Sequence, residues 1–226
     1  MTPDTKQSYL QHHPLFANVP QKNIADAAAM MKLKTVQRSE AISYGDGTYS
    51  KIYLLFQGKV KLASFTDHES EMIKDIIMAP DVFGNLTMDG LVSKLEYAEA
   101  MTINAVVGCF TIADFKRLLE ANPMMGIAYA GLLTGKLERL EGRHTELIYC
   151  DTKSRLVQFI KKWAKADGRK VGNNVILKNY LTHADIANVI SSSRQSVNVL
   201  LNELRADGML MYSRSRIELH NASWWH

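Results

Sequence analysis

The sequence predicts an α+β chain: an N-terminal β jelly roll, a long dimerisation helix and a C-terminal winged helix-turn-helix. Three observations carry this. Short apolar runs punctuated by glycine fill Thr35 to Ile112, an apolar seam of period 3.5 runs from Gly126 to Leu147, and two short helical patterns joined by serines occupy Leu181 to Gly208. With 226 residues at 46% hydrophobic composition, the chain can bury one or two cores, since domains usually run to about 100–150 residues. The predicted division is an effector-sensing roll over 1–121, a dimerisation helix over 122–151 and a DNA-binding domain over 152–226.

A helical stretch, Gln21 to Leu33, precedes the roll. Within it, Ile52 to Phe56, Gln57-Gly58 and Lys59 to Phe65 read as a hairpin, with Val60 and Leu62 alternating against a solvated face that carries Lys59 and Lys61. Further strands are expected at Met72–Met78 and Met101–Val107, with turns at Gly45, Gly47, Gly84, Gly90 and Gly108. Many short strands of this kind close into a sandwich or jelly roll.

Asp114 to Glu120 forms a short helix, and Asn122-Pro123 breaks and restarts the chain, proline being acceptable in a first helical turn. From there one helix extends to about Cys150. Gly126, Ala130, Leu133, Leu137, Leu140, His144 and Leu147 alternate in spacings of four and three, the a/d seam of a coiled coil, flanked by Glu138, Arg139, Glu141 and Arg143. More than three heptads of such a seam require a partner helix, and a homodimer follows.

In the C-terminal motif Thr182 is an N-cap with Asp185 three residues on, and Ile186, Ala187 and Ile190 supply a packed face. The second helix begins at Ser192 or Ser193 and buries Val197, Leu200, Leu201 and Leu204, so its first turn presents Arg194, Gln195, Ser196 and Asn198. Such first-turn residues reach base edges in the major groove. Arg194 can read guanine through two parallel hydrogen bonds, Gln195 or Asn198 can read adenine, and the serines can hold phosphates. Met209–Tyr212, Ser213-Arg214-Ser215 and Arg216–His220 then form a wing whose tip carries Arg214 and Arg216. The DNA-contact candidates are thus Thr182, His183, Ser192, Ser193, Arg194, Gln195, Ser196, Asn198, Arg214 and Arg216.

Charge agrees with this partition. Residues 152–226 hold 12 Lys and Arg against 5 Asp and Glu, which leaves 15 against 18 for residues 1–151, although the whole chain is only +4. A basic C-terminal segment suits phosphate neutralisation. Cys109 and Cys150 are too few for a disulfide scaffold and lack zinc spacing, which fits a reducing cytoplasm. Asp4, Lys6, His12 and His13 stand where a secretory signal would need apolar residues, and no run of 18 apolar residues occurs, so neither export nor a membrane partner is expected. No GxSxG, HExxH or GxGxxG pattern appears, and Gly131 to Lys136 falls one residue short of a phosphate loop inside the heptad seam. An enzyme is therefore not expected.

Taken together, the roll with Gln57-Gly58-Lys59-Val60 and Asp81-Val82-Phe83-Gly84, the Asn122-Pro123 restart, an Asp151–Arg155 hinge and the Leu181-Thr182 to Val197 motif resemble the Crp/Fnr superfamily of bacterial transcription regulators. The resemblance implies a cyclic-nucleotide-binding-like roll and Arg194 as the guanine reader. Gln195 stands where glutamate is common in the family and Val199 where some members carry arginine, so the half-site should differ from that of the cyclic-AMP receptor.

The cassette departs further. Its Gly-Glu-Leu start is Gly84-Asn85-Leu86, and the Arg-Ser pair that grips a cyclic phosphate reads Tyr97-Ala98, with Glu96 and Glu99 nearby. Without a guanidinium the charge-assisted contact is lost, and where cyclic-nucleotide binders place hydroxyls on the long helix, Leu140 and Glu141 stand here. The effector-pocket candidates are therefore Phe83, Gly84, Asn85, Leu86, Tyr97, Ala98, Leu140 and Glu141, with a ligand other than cyclic AMP or none. Two cysteines cannot supply the four ligands of an iron–sulfur cluster. Haem, held by His12, His13, His144 or a methionine, stays open as the alternative effector, and so does a roll acting on a protein partner. The resulting expectation is a homodimeric regulator of duplex DNA at a palindromic operator, engaging RNA polymerase if it activates. Trp224-Trp225-His226 has no assigned role.

Overall fold

The computed structural model describes residues 3–44, 51–65, 71–88 and 96–221, so Gly45, Gly47, Gly90 and the Trp224-Trp225-His226 tail lie outside the described residues. The chain forms two compact units, Met1–Arg139 and Leu140–His226, and their division falls inside the long helix.

The first unit opens with helix α1 (Pro3–Gln11), a 3-10 turn (Pro14–Phe16) and helix α2 (Gln21–Met30). The sequence did not single out α1, whose helical face is mostly polar. It is nevertheless anchored by fully buried Leu10 and by Lys6, whose Nζ donates to the Met31 (2.6 Å) and Ala28 (3.4 Å) carbonyls at the open end of α2. Helix α2 stops at Met30, short of the expected Leu33, because strand β1 (Lys32–Val36) is drawn into pairing with β8 (Ala105–Thr111). Between them in sequence run β2 (Ala41–Tyr44), β3 (Lys51–Gln57), β4 (Lys59–Phe65), β5 (Glu71–Met78), β6 (Asp81–Gly84) and β7 (Glu96–Ala100). Among the described residues these make two antiparallel sheets, ordered β1-β8-β3-β6 and β2-β7-β4-β5.

The expected hairpin across Gln57-Gly58 is not formed. Strand β3 pairs with β6 and β8, β4 pairs with β5 and β7, and Gly58 turns the corner between the sheets at φ +93°. Only glycine fits, since a Cβ there would lie 2.6 Å from Thr102 Oγ1 and 3.0 Å from the Ala105 backbone. Nor is the Lys61 face of β4 open to solvent. Lys61 is buried, with Nζ 2.6 Å from Glu71 Oε1 and 3.5 Å from Glu99 Oε2. The last strand begins at Ala105 rather than Met101, and Gly108 lies within it instead of in a turn, because a Cβ would sit 2.4 Å from Met31 Sδ.

Tyr53, Leu55, Val60, Ile77, Phe83, Ala98, Ala105 and Val107 fill the space between the sheets. The opposite face of the first sheet, with Ile52, Leu54, Val82 and Phe110, packs on Leu10, Phe16 and Ile24, on helix α3 (Ile112–Ala121) and on the start of helix α4 (Pro123–Tyr149). Thr111 caps α3 by accepting from the Asp114 amide (3.0 Å), and Asn122 ends it by donating to the Leu118 carbonyl (2.8 Å).

After α4 the second unit continues with α5 (Thr152–Asp167), β9 (Arg169–Val171), β10 (Asn174–Lys178), α6 (His183–Val189), α7 (Arg194–Ala206), β11 (Leu210–Tyr212) and β12 (Arg216–Leu219). The strands form one antiparallel sheet ordered β11-β12-β10-β9. The expected Asp151–Arg155 hinge shrinks to Cys150-Asp151, since Asp151 N-caps α5 by accepting from the Ser154 amide (2.7 Å) and Thr152 onward is helical. Among the described residues no helix is long and apolar enough to cross a membrane.

Burial also sets a pH dependence. His13 is 1% exposed, its Nδ1 accepting from the Leu15 amide (3.2 Å), which leaves Nε2–H to donate to the Asp81 carbonyl (3.3 Å). Burial pushes its pKa down, against the opposing hydrogen bond to and charge of Asp81. Below about pH 6.5 the unfolded histidine therefore takes up a proton that the folded one resists, and stability falls as pH falls. His13→Gln should flatten this slope between roughly pH 6.5 and 5 in denaturant titrations, while the carboxylate-dependent loss at lower pH persists.

Candidate nucleic-acid interface

The interface is built on two caps. Thr182 Oγ1 accepts from the Asp185 amide (3.1 Å) and the Thr182 amide donates to Asp185 Oδ2 (2.8 Å), a reciprocal capping box that starts α6. Ser193 Oγ accepts from the Ser196 amide (3.0 Å) and starts α7. Ser191 at φ +52° lets the chain reverse between the helices, with the Ser192 amide donating to the Ala187 carbonyl (2.8 Å). Ile186, Ala187 and Ile190 of α6 are buried, as are Val197, Leu201 and Leu204 of α7, whereas Leu200 is half-buried.

That packing turns the opposite face of α7 outward with Gln195 on it, while Arg194 and Asn198 flank the buried stripe. Arg194, Gln195 and Asn198 are exposed, and among the described residues no carboxylate lies within ion-pair distance of Arg194. Ser196 is half-buried and its hydroxyl lies 2.9 Å from that of Ser193, so these two serines are committed to the cap rather than held outward. Ser192 is half-buried and Thr182 exposed. His183 packs edge-on against Tyr212 with ring centres 5.3 Å apart, and its pKa is lowered by burial and then by the nearby Arg194 charge. Arg194, His183 and the β11 strand thus gather at one end of the motif.

The wing forms where expected. Its tip carries exposed Arg214, while Arg216 is the first residue of β12 and pairs with Glu218 at 2.7 Å. Two features escaped the sequence reading. The β9–β10 pair widens the wing into a four-stranded sheet. Arg155 staples α5 to the turn between the reading helices, donating from Nε to the Ile190 carbonyl (2.9 Å), from Nη1 to the Cys150 carbonyl (2.8 Å) and from Nη2 to the Ser191 carbonyl (3.3 Å). An arginine one turn into a helix looks solvated in sequence; only the fold brings those carbonyls to it.

The effector-pocket candidates are divided by the strand period. Phe83 and Ala98 lie in the core between the sheets, Phe83 stacking on Tyr53 with centres 4.9 Å apart. Beside them Gly84 adopts φ +98°, buried Asn85 accepts from Thr87 Oγ1 (3.1 Å), and the Leu86 carbonyl accepts from Tyr129 on α4 (2.6 Å). Tyr97, one residue from Ala98, faces the other side of β7, where its hydroxyl bonds Glu71 and its ring stacks on Phe65 with centres 5.3 Å apart. Leu140 and Glu141 are exposed on α4.

Along the expected seam, Leu133 is partly packed on the roll, Gly126 is half-buried, and Ala130, Leu137, Leu140, His144 and Leu147 are exposed, the leucines to 56%, 56% and 45%. Ile127 and Ile148, not placed in that seam, extend the exposed stripe at either end. Of the histidines named as haem candidates, His12 is exposed with Nδ1 on the Ser8 carbonyl (2.7 Å) and His13 is buried. Among the described residues no three His, Cys, Asp or Glu side chains cluster to hold a metal ion.

A winged helix-turn-helix with an uncovered arginine at the start of its second helix, carried on the same chain as an antiparallel roll, defines a DNA-binding regulator rather than an enzyme. Residues 154–223 match the Crp-like helix-turn-helix domain family. The global nitrogen regulator of Synechocystis sp. is 25% identical over 217 residues, covering 95% of each chain. The solved structure of a CooA mutant from Carboxydothermus hydrogenoformans superposes with TM-score 0.72 at 20% identity over 87% of each chain. That of the c-di-GMP responsive global regulator CLP from Xanthomonas campestris does so with TM-score 0.75 at 15% identity, over 89% of this chain and 100% of that one. Residues 154–223 thus carry a Crp-like helix-turn-helix domain, and along its length the chain is similar to Crp/Fnr-type transcription regulators.

The Arg155 staple gives a test of the local architecture. Arg155→Lys keeps the charge but cannot span three carbonyls, so it should lower stability by about 1–3 kcal/mol in chemical denaturation. DNA affinity should drop with no change in salt slope.

Proposed function

We propose that the chain is a homodimeric regulator that reads a palindromic operator through α7, with residues 1–121 sensing an effector, 122–151 dimerising and 152–226 binding DNA. The observation that carries this reading is the uncovered first turn of α7. Arg194, Gln195 and Asn198 are exposed beside buried Val197 and Leu201, and among the described residues no ion pair restrains the guanidinium. Arg194 reads guanine, and Gln195 or Asn198 reads adenine. Thr182, His183, Ser192, Ser193 and Ser196 shape the surface and hold phosphates where a hydroxyl or ring N–H is left free to donate. Arg214 holds the backbone from the wing tip, and Arg216, already tied to Glu218, contributes less.

Dimerisation is supported by the apolar stripe of Ile127, Leu137, Leu140, Leu147 and Ile148, which the single chain leaves in water. For the effector, Tyr97 is engaged outside the roll by Glu71, Ala98 is core, and Glu96 is paired with Lys74, so the Tyr97-Ala98 positions themselves offer no guanidinium to grip a cyclic phosphate. Gating falls to a ligand other than cyclic AMP or to none. Residence in the cytoplasm and engagement of RNA polymerase upon activation complete the reading.

Selection from random duplexes should return a palindrome with half-site centres roughly 10–10.5 base pairs apart. In titrations on that operator, Arg194→Ala should cost about 1–3 kcal/mol and abolish the guanine preference at one position per half-site. Arg214→Ala should weaken all sequences alike and lower the salt slope by roughly one ion. Failure to enrich a palindrome, or full preference retained by Arg194→Ala, would remove α7 as the reader. Leu137→Glu should convert the protein to monomer in sedimentation, since the exchange would bury an unpaired charge in the paired helices.

A further inference from the structure

We infer that Val199 is a further specificity determinant of α7, making apolar contact with the 5-methyl group of a thymine in each half-site. The inference rests on the reading of α7 given above.

Val199 lies two residues beyond buried Val197, roughly 200° round the helix, at the middle of the outward face. It is 48% exposed, and its outward neighbours are Gln195 one turn before it and Asn202 a turn after. Polar groups around it are engaged elsewhere. Asn202 Oδ1 accepts from Tyr212 on the wing at 3.4 Å, and Glu203 pairs with Lys153 of α5 at 3.2 Å. Helix stability does not call for valine at such a position, because a β-branched residue is a poorer helix former than the unbranched polar residues that suit a solvated face. The fold therefore places two bare methyl groups at the centre of the face that meets the major groove.

Thymine is the base with an apolar group on its major-groove edge. Val199 follows Arg194 by five residues, about 7.5 Å along the helix axis at 1.5 Å per residue, and successive bases rise by about 3.4 Å. The thymine therefore lies one to three base pairs from the guanine that Arg194 reads. Valine can neither accept nor donate a hydrogen bond, so replacing that thymine with cytosine or a purine removes the contact with nothing in exchange.

The test uses the full chain on its selected operator, by fluorescence anisotropy at fixed salt. Each thymine of the half-site is replaced in turn by deoxyuridine, which keeps the pairing and hydrogen-bond edge and deletes only the methyl. One position should weaken binding by roughly 3- to 10-fold, the scale of burying one methyl group. With Val199→Ala the same replacement should have no effect, while the salt slope and thermal unfolding stay as in the parent protein. Selection of an operator lacking thymine in that window, or an equal deoxyuridine penalty in parent and Val199→Ala, would overturn the inference. If Arg194→Ala loses guanine preference while deoxyuridine does nothing, only the Val199 contact falls. If Arg194→Ala keeps its preference, the reading helix is misassigned and both fall together.

Discussion

Burial of one β-sheet on both of its faces is the constraint from which the first unit follows. Ile52, Leu54, Val82 and Phe110 face the helices while Tyr53, Leu55, Phe83 and Val107 face the second sheet, so successive residues of β3 are all apolar. Each large side chain moved from water contributes about 1.5–3 kcal/mol, and this layer holds most of them. The helices that cover it must be gathered from both ends of the roll, which brings α1 and α2 beside α3 and the start of α4. Met125 and Tyr129 complete that cover. Ala128, Leu132 and Leu133 of α4 pack partly on the same cluster, and beyond them Leu137, Leu140 and Leu147 are exposed in the single chain.

Directional anchoring comes from Asp81 at the edge of the same sheet. Its carbonyl holds buried His13, its Oδ1 accepts from the Val82 amide (2.7 Å) and lies 2.8 Å from Lys136 Nζ, and Oδ2 lies 3.4 Å from Arg139. Asp81 and Lys136 are mostly covered, with side chains 12% and 14% exposed, so losing either partner would strand a charge at a cost of several kcal/mol. Arg139 is 52% exposed and adds little by comparison. Together with Tyr129 on the Leu86 carbonyl, this ties α4 to β6 and the segment that follows it through three polar side chains, Tyr129, Lys136 and Arg139.

What could be read from the sequence was what depends on local pattern. The caps at Thr182 and Ser193 need only a hydroxyl and an amide three residues on, and the helix-turn-helix needs only its own two faces, whereas Asp151, read as part of a hinge, is a cap. Features that depend on distant chain were missed or misjudged. Gln57-Gly58 has the local look of a hairpin, yet Thr102 and Ala105 crowd the glycine into a corner between sheets. Lys61 looks like a surface residue until Glu71 and Glu99, from two other strands, are brought to it. Tyr97 was grouped with Ala98 because they adjoin in sequence, whereas the pleat sends them to opposite sides of β7. His13, Lys6 and Arg155 all satisfy carbonyls far away in the chain, and no periodicity reports such pairings.

The candidate interface shows the same division within a single helix turn. Ser193 and Ser196 spend their hydroxyls on each other and on the start of α7, which leaves positive helix-end potential but few free donors at that spot. On the proposed reading, recognition then rests with residues that have no structural duty. Arg194 carries charge and a two-donor fork, Gln195 and Asn198 carry amides, and Val199 carries methyl groups alone. Because Val197, Leu201 and Leu204 fix the rotation of α7 against α6, none of these can be exchanged for another by turning the helix without exposing the core. If those residues read the operator as proposed, specificity in this unit is set by the side chains left outward and stability by the buried stripe itself. Substitutions on the outer face can change the operator without unfolding the domain that reads it.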